Sequence, residues 1–389
     1  MRRTETMGGV SVLHGLRRPD YPAPQTPTDP MRPLLFLLAL TLASPALQAA
    51  TTVSITGGDF FIHGKPTYEG RVWQGQRIEG LLLNSRMVQA SFDDRNPATV
   101  EQWAYPDTKQ WDAERNTTEF IAQMPVWRAH GLLAITLNLQ GGSPYGYSKD
   151  QPWHNSAINP DGTLDPAYLA RIGRVIEKAD ELGMAVILGY FYFGQDERVK
   201  DEAAVIRAVE AVTRWILDQG WQHVLVEINN EANIKKYDHA ILKADRVHEL
   251  IQRVQAVQKD GRRLLVSTSF GGGAVPSPGV IECADFLLIH GNGVKGPEAM
   301  QKFITRVKTA AAGKSYPIVI NEDDHFDFDQ PNNNFTSAIK EHVSWGYFDY
   351  RMKGEGYEEG YQSVPVNWGL SSARKRGFFT LLKQITGTP

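Results

Sequence analysis

The chain has 389 residues, of which 42% are hydrophobic and 22% charged, and a formal net charge of −3 at pH 7. That composition fits a soluble globular protein, and an acidic balance argues against nucleic acid as a partner. The single cysteine, Cys283, excludes an internal disulfide, so stability must come from core packing.

Met31 opens a stretch with the form of a secretory signal peptide, spanning 31–49. Arg32 is its basic start, 34–42 its apolar centre, and the small residues of 44–50 place the expected cut after Ala49. The run is too short to span a bilayer. Residues 1–30, rich in Pro and Arg, read as an upstream leader ahead of a true start at Met31, and no cysteine near the cut permits a lipid anchor. The expectation is a secreted or periplasmic monomer with no membrane attachment after cleavage. Its mature chain is 50–389, 340 residues with a formal charge of −5.

Residues 52–56 and 59–62, followed by His63-Gly64-Lys65-Pro66, read as a short N-terminal β-hairpin that caps whatever follows. Apolar strand-like runs come next at 86–92, 132–139, 184–192, 223–228, 264–269, 286–289, 317–320 and 347–350. They alternate with helical periodicity at 112–130, 165–182, 202–219, 242–259, 297–312 and 334–345, with a closing helix at 371–382. Gly131, Gly183 and Gly220 stand where helix C-caps belong. The link at 271–279 is short and rich in Gly and Pro, so the fifth unit is expected to lack a full helix. Eight such units predict one α/β domain, a (β/α)8 TIM barrel. A doubly wound open sheet would want a Gly-rich phosphate turn after an early strand, whereas Gly271-Gly272-Gly273 follows the fifth.

A barrel of this kind carries its working residues at the carboxyl ends of its strands. Two glutamates stand out there. Glu231 ends the run His223-Val224-Leu225-Val226-Glu227-Ile228-Asn229-Asn230-Glu231, Glu322 ends Pro317-Ile318-Val319-Ile320-Asn321-Glu322, and each directly follows an asparagine. Paired carboxylates suit glycosidic bond cleavage, in which one protonated carboxyl donates to the leaving oxygen and an ionised one attacks or activates water. Strands four and seven lie across a narrow lumen, so the two side chains are expected to approach to the roughly 5–5.5 Å required for retention of configuration. The Asn230 carboxamide is placed to bond a sugar 2-hydroxyl.

These features resemble clan A of the glycoside hydrolases, described as having an Asn-Glu acid/base after the fourth strand and a Glu nucleophile after the seventh. Asn230-Glu231 and Glu322 fill those positions, and His290 after the sixth strand and the aromatic eighth strand match further. Ala232 departs from the pattern, standing where a proline often follows the acid. The resemblance implies a retaining hydrolase of a β-linked oligo- or polysaccharide that needs no cofactor, with Glu231 as proton donor and Glu322 as nucleophile. Glu231 should then have a raised pKa, while His290 and a tyrosine, Tyr190 or Tyr192, hydrogen-bond Glu322 and keep it ionised. Asn138, Asp93, Trp153, His154 and Trp368 are further expected substrate contacts, the tryptophans as faces for pyranose rings. Arg86 reads as a structural ion-pair partner. Two other readings stand beside this one. The carboxylate-rich loop Asp323-Asp324-His325-Phe326-Asp327-Phe328-Asp329 could bind a metal in a metal-dependent hydrolase, and a carbohydrate-binding barrel could lack the chemistry altogether.

Overall fold

The computed structural model describes residues 50–389 together with Asp20 and Pro22, so the expected signal peptide and the rest of the leader lie outside the described residues. Eight parallel strands form the centre: β1 (Asn84–Arg86), β2 (Ala134–Asn138), β3 (Ala185–Phe191), β4 (Val224–Asn229), β5 (Leu265–Ser267), β6 (Leu287–His290), β7 (Ile318–Glu322) and β8 (Gly346–Tyr347). β1 to β5 pair in chain order, β6 pairs with β7, and β8 returns to β1 through Gly346↔Asn84. Backbone hydrogen bonds close the two remaining seams. Asp285 N donates to the Val266 carbonyl at 3.0 Å and His290 N to the Phe270 carbonyl at 3.2 Å, while Ile320 N reaches the Ser344 carbonyl at 2.8 Å. The barrel is therefore closed, as the eight runs predict, and leaves no sheet edge exposed.

Each strand is followed by a helix: α1 (Ala113–Arg128), α2 (Pro166–Glu181), α3 (Glu202–Asp218), α4 (His248–Ala256), α5 (Pro278–Cys283), α6 (Pro297–Ala310), α7 (Asn334–Lys340) and α8 (Ala373–Thr386). Local chemistry explains where they start. Asp112, Asp165 and Asp201 cap α1, α2 and α3 by accepting from the backbone N–H three residues on, contacts worth about 1 kcal/mol each. α2 then buries Tyr168, Ile172, Val175, Ile176 and Ala179, one face at helical spacing, against the strands. α5 has only six residues, in line with the short fifth link.

Alternation along the strands sorts the interior. Val186, Leu188 and Tyr190 of β3 point outward into the helix-facing core, and Ala185 and Ile187 point into the lumen. The lower lumen is plugged by Leu82, Leu133, Leu225, Phe286, Leu288 and Val319, and Phe60 closes it from below, its ring 6.2 Å from Phe286. Phe60 belongs to the expected N-terminal hairpin, Val53–Thr56 with Asp59–Ile62, which gains Lys65–Pro66 as a third strand.

Boundaries differ most at four places, one of them α4, which starts at His248 rather than 242 because residues 240–242 form a separate 3-10 turn. β1 lies upstream of 86–92, because residues 88–91 form a single 3-10 turn whose carbonyls are taken by α1: Asn116 Nδ2 bonds Gln89 O at 2.7 Å and Thr117 Oγ1 bonds Ala90 O at 2.8 Å. β8 ends at Tyr347 rather than running to 350, and the next acidic residue, Asp349, is claimed by Arg374 at 3.0 Å. Helix α7 stops at Lys340, well short of 345, where His342 adopts φ 52°.

Candidate active site

Four strand ends converge above the lumen. Alternation aims Arg86 and Glu227 inward, in parity with Asn84 and Leu225. β4 ends at Asn229, and two residues later Glu231 takes a left-handed conformation, φ 53°, which costs a non-glycine residue about 1–2 kcal/mol. Ser269 after β5 holds that turn, its hydroxyl accepting from Glu231 N at 2.9 Å and its carbonyl from Ala232 N at 2.9 Å. The second bond explains the departure at Ala232, since a proline there has no N–H to give. The Gly271-Gly272-Gly273 run also gains a purpose. A Cβ at 271 would stand 3.3 Å from the Glu231 carboxyl, and one at 272 would stand 1.9 Å from the Asn292 carbonyl oxygen.

A bulge at the end of β6 re-aims His290 beside Glu322. Carboxylate oxygens of Glu231 and Glu322 and a ring nitrogen of His290 all lie within 4.8 Å of one another. His290 Nδ1 is 3.0 Å from Glu231 Oε1 and 3.6 Å from Glu322 Oε2. Arg86 is the hub beneath them: Nε is 2.6 Å from Glu322 Oε2, Nη2 donates to Asn230 Oδ1 at 2.6 Å, and Nη1 is 3.5 Å from Glu227. Asn292 Nδ2 donates to the other Glu322 oxygen at 2.5 Å. The Glu231 side chain is 14% exposed and that of Glu322 7%, whereas Arg86 and His290 are sealed, so solvent reaches the carboxylates from above only.

Charge distribution differs from the sequence expectation. Burial pushes the Glu322 carboxyl above the usual range, with His290 and Arg86 pulling it back. Burial would also raise Glu231, but the hydrogen bond and charge of His290, with Arg86 behind, carry it below. Burial opposes the charged form of His290 too, yet Glu322 and Glu231 together raise it. One proton is thus shared along the 3.0 Å line between His290 and Glu231, and in this arrangement it favours the imidazole. The expectation that His290 serves Glu322 is corrected by the same distances, since Glu231 is its hydrogen-bond partner.

The other expected residues divide. Asn230 is in the cluster, and because Oδ1 is committed to Arg86 its Nδ2 donors remain. Tyr192, past the end of β3, lies in the field of Glu322 and Glu231, which after burial raises its pKa, but its hydroxyl meets the Ser143 backbone and not Glu322, so the expected tyrosine hydrogen bond to Glu322 is corrected. Asn138 lies one layer down: its Oδ1 would be 2.2 Å from a Cβ at Gly189, a position 3.3 Å from a Glu227 oxygen. Tyr190 points the other way and meets Thr213 of α3 at 3.3 Å. Asp93 pairs with Arg171 of α2 at 2.9 Å, outside the barrel. Trp153 is buried against Trp103, Trp368 is buried against Phe120 and Tyr361 with its Nε1 on Asn116, and His154 bonds Asp94 through its backbone. None of these five faces the glutamates. Tyr190→Phe should therefore leave kcat/KM within about twofold and cost about 1 kcal/mol of stability at most, while Tyr192→Phe should lower kcat/KM at least tenfold. Steady-state kinetics of the two variants, side by side, read this directly.

The acidic loop is used structurally. Asp323 accepts from His325 Nδ1 at 2.6 Å, Trp345 Nε1 at 2.8 Å and Asn334 Nδ2 at 3.1 Å, which commits its oxygens and one His325 nitrogen, while Asp327 and Asp329 are exposed. Arg86, Glu227 and Asn292 were not expected in the site. The first two were detectable as charged residues on lumen-facing strand positions, and Asn292 as a polar residue just past the sixth strand, beside His290.

No protein-family profile and no curated protein matches the sequence. Solved structures do. An endo-1,4-β-mannanase from Rhizomucor miehei superposes with a TM-score of 0.53 at 12% identity, covering 87% of this chain and 100% of its own. A β-glucosidase from Thermotoga maritima in complex with castanospermine gives 0.51 at 12%, covering 79% and 98%. A GH5-4 broad specificity endoglucanase from Clostridium longisporum gives 0.51 at 10%, covering 79% and 96%. At such identities the likeness is one of fold, and the closed barrel of this chain is the barrel on which these glycoside hydrolases are built.

Proposed function

We propose that the chain is a secreted glycoside hydrolase that cleaves β-linked glycans with retention of configuration, through a covalent glycosyl-enzyme on Glu322. The observation that carries this reading is that an oxygen of each carboxylate lies within 4.8 Å of one of the other above a closed barrel, an approach that favours double displacement over water insertion. Both Glu322 oxygens accept N–H donors, from Arg86 and Asn292, which matches a carboxylate and suits a nucleophile. Glu231 shares its proton with His290. Substrate seated against Glu231 favours the tautomer in which that proton is on the carboxyl, and this form protonates the departing oxygen. In the second step Glu231 takes a proton from water as the glycosyl–Glu322 ester bond breaks, and the acid is restored. Asn230 Nδ2, oriented by Arg86, is the donor for the sugar 2-hydroxyl.

The metal-dependent alternative loses ground on geometry. On the 323–329 loop Asp323, Asp324 and His325 bring one ligand atom each within 4.8 Å of one another, but the Asp323 oxygens and His325 Nδ1 are already bonded to each other and to Trp345 and Asn334, so a divalent cation there would have to displace those bonds. Aryl β-glycosides of glucose, mannose, galactose and xylose, followed by proton NMR, test the proposal. The first anomer formed should be β, and EDTA should leave the rate unchanged. An α first product, or a rate abolished by chelation and restored by added metal, would overturn it. Export through 31–49 predicts a mature N-terminus at Ala50, which mass spectrometry of the expressed full chain would read.

A further inference from the structure

The mouth of the barrel is bridged. The segment following β2 runs along the rim: Gln89 Nε2 and Gln362 Nε2 donate to the Ser143 carbonyl at 3.1 and 3.0 Å, Val364 N to the Pro144 carbonyl at 2.8 Å, and Tyr145 pairs with Ser363. Gly146 then lies against Tyr350, where any Cβ would come within 2.5 Å of that side chain. Two anchors follow in quick succession. Tyr147 Oη donates to Asp324 Oδ2 at 2.9 Å, and the Lys149 carbonyl accepts from Lys236 Nζ at 2.8 Å. Asp324 is two residues beyond Glu322 on the β7 side, and Lys236 five beyond Glu231 on the β4 side. These strands face each other across the barrel, so residues 147–149, whose backbone reaches only about 10 Å, pass over the opening between them.

What lies on either side of the bridge differs. Toward β8, β1 and β2 the mouth is filled by 141–146 and by the loop from Asp349 to Trp368. Toward β5 and β6 the loops are short and glycine-rich, Gly271 to Gly273 and Gly291 to Gly293, and Gly271, having no side chain, leaves the Glu231 carboxyl uncovered by a Cβ there. Tyr147 presents an aromatic face, 52% exposed, above the end of β7, where it is tied to Asp324, with Phe348 and Tyr350 edge-on behind it at 5.7 and 4.9 Å. An internal stretch of polysaccharide needs a cleft open at both ends. Here the rim is built up on one side of the bridge and low on the other.

We infer that the bridge 147–149 makes this a chain-end enzyme: one terminal β-linked sugar enters beneath Tyr147, and the remainder of the glycan leaves past Glu231 over the β5 and β6 loops. The inference rests on the glycosidase reading and adds the substrate class, the non-reducing end of short β-linked oligosaccharides. The test uses the full chain with β-linked gluco-, manno-, galacto- and xylo-oligosaccharides of two to six units, labelled at the reducing end, and with the matching polysaccharides. Stepwise release of unlabelled monosaccharide, with polymer viscosity unchanged, is expected. Rapid viscosity loss, or unlabelled products of two or more units appearing first, would overturn the chain-end inference while leaving the glycosidase reading intact. Failure to cleave any oligosaccharide or aryl glycoside would instead overturn the glycosidase reading. In the double variant Tyr147→Ala/Lys236→Ala the ratio of terminal to internal cleavage should fall at least tenfold, and an unchanged ratio would remove the bridge from the account.

Discussion

Glu231→Gln and Glu322→Gln should both be nearly inactive on an alkyl β-glycoside, yet respond differently to the leaving group. Removing a general acid costs about 10²–10⁴-fold in rate, but only where the departing oxygen needs a proton. With a dinitrophenyl leaving group, acidic enough to depart as the anion, Glu231→Gln should recover most of the first-step rate. Glu322→Gln should recover none, because no ester forms with either substrate. The amides keep the size of the side chains, so folding should be little affected for Glu231→Gln. The wild-type pH profile should be bell-shaped. Its acid limb reports Glu322 taking a proton, and burial places that limb above the ordinary carboxylate range. Its basic limb reports loss of the proton shared by His290 and Glu231, displaced above the ordinary imidazole value by the two carboxylates. Steady-state kinetics with paired alkyl and dinitrophenyl substrates over pH 4–9 check both limbs. Near-full activity in either amide variant would sink the assignment of roles.

The barrel was legible because its eight apolar runs and intervening amphipathic stretches differ in period, and that difference survives without any tertiary information. The two glutamates were legible for the same reason, as polar residues immediately past a buried run. What failed was the direction of individual side chains. Tyr190 and Tyr192 look equivalent in the sequence, but Tyr190 is still within β3, in outward parity with Val186 and Leu188, whereas Tyr192 is past its end and free to turn over the lumen. Trp153 and Trp368 carry no period at all. Their burial is decided by neighbours far along the chain, Trp103 and Phe120. Arg86 was read correctly as an ion-pair partner, but its partner is Glu322, 236 positions away, brought close only when β8 closes the sheet between them.

Arg86→Met should be the most destabilising substitution in the site, by about 3–5 kcal/mol at neutral pH, the cost of leaving a buried charge without its partner. Arg86 is 1% exposed in its side chain and serves three acceptors at once, so no water replaces it at Glu322, Asn230 and Glu227. Burial alone would weaken its charged form, and Glu322, Glu227, Tyr192 and Glu231 together raise its pKa instead. With the guanidinium gone, Glu322 loses a charge that offsets its burial, and its folded-state pKa rises further above the unfolded value of about 4.3. The folded variant then binds more protons than the unfolded chain, so its stability falls as pH rises through that range and recovers as pH drops. The deficit against wild type should be small at pH 4 and largest at pH 7–8. Arg86→Met/Glu227→Gln should regain part of it by removing one of the two buried charges, without restoring activity, because Asn230 and Glu322 remain unoriented. Urea denaturation of the wild type and both variants at pH 4, 6 and 8 measures the effect. A deficit that does not change with pH would show that packing, rather than charge compensation, is what Arg86 supplies.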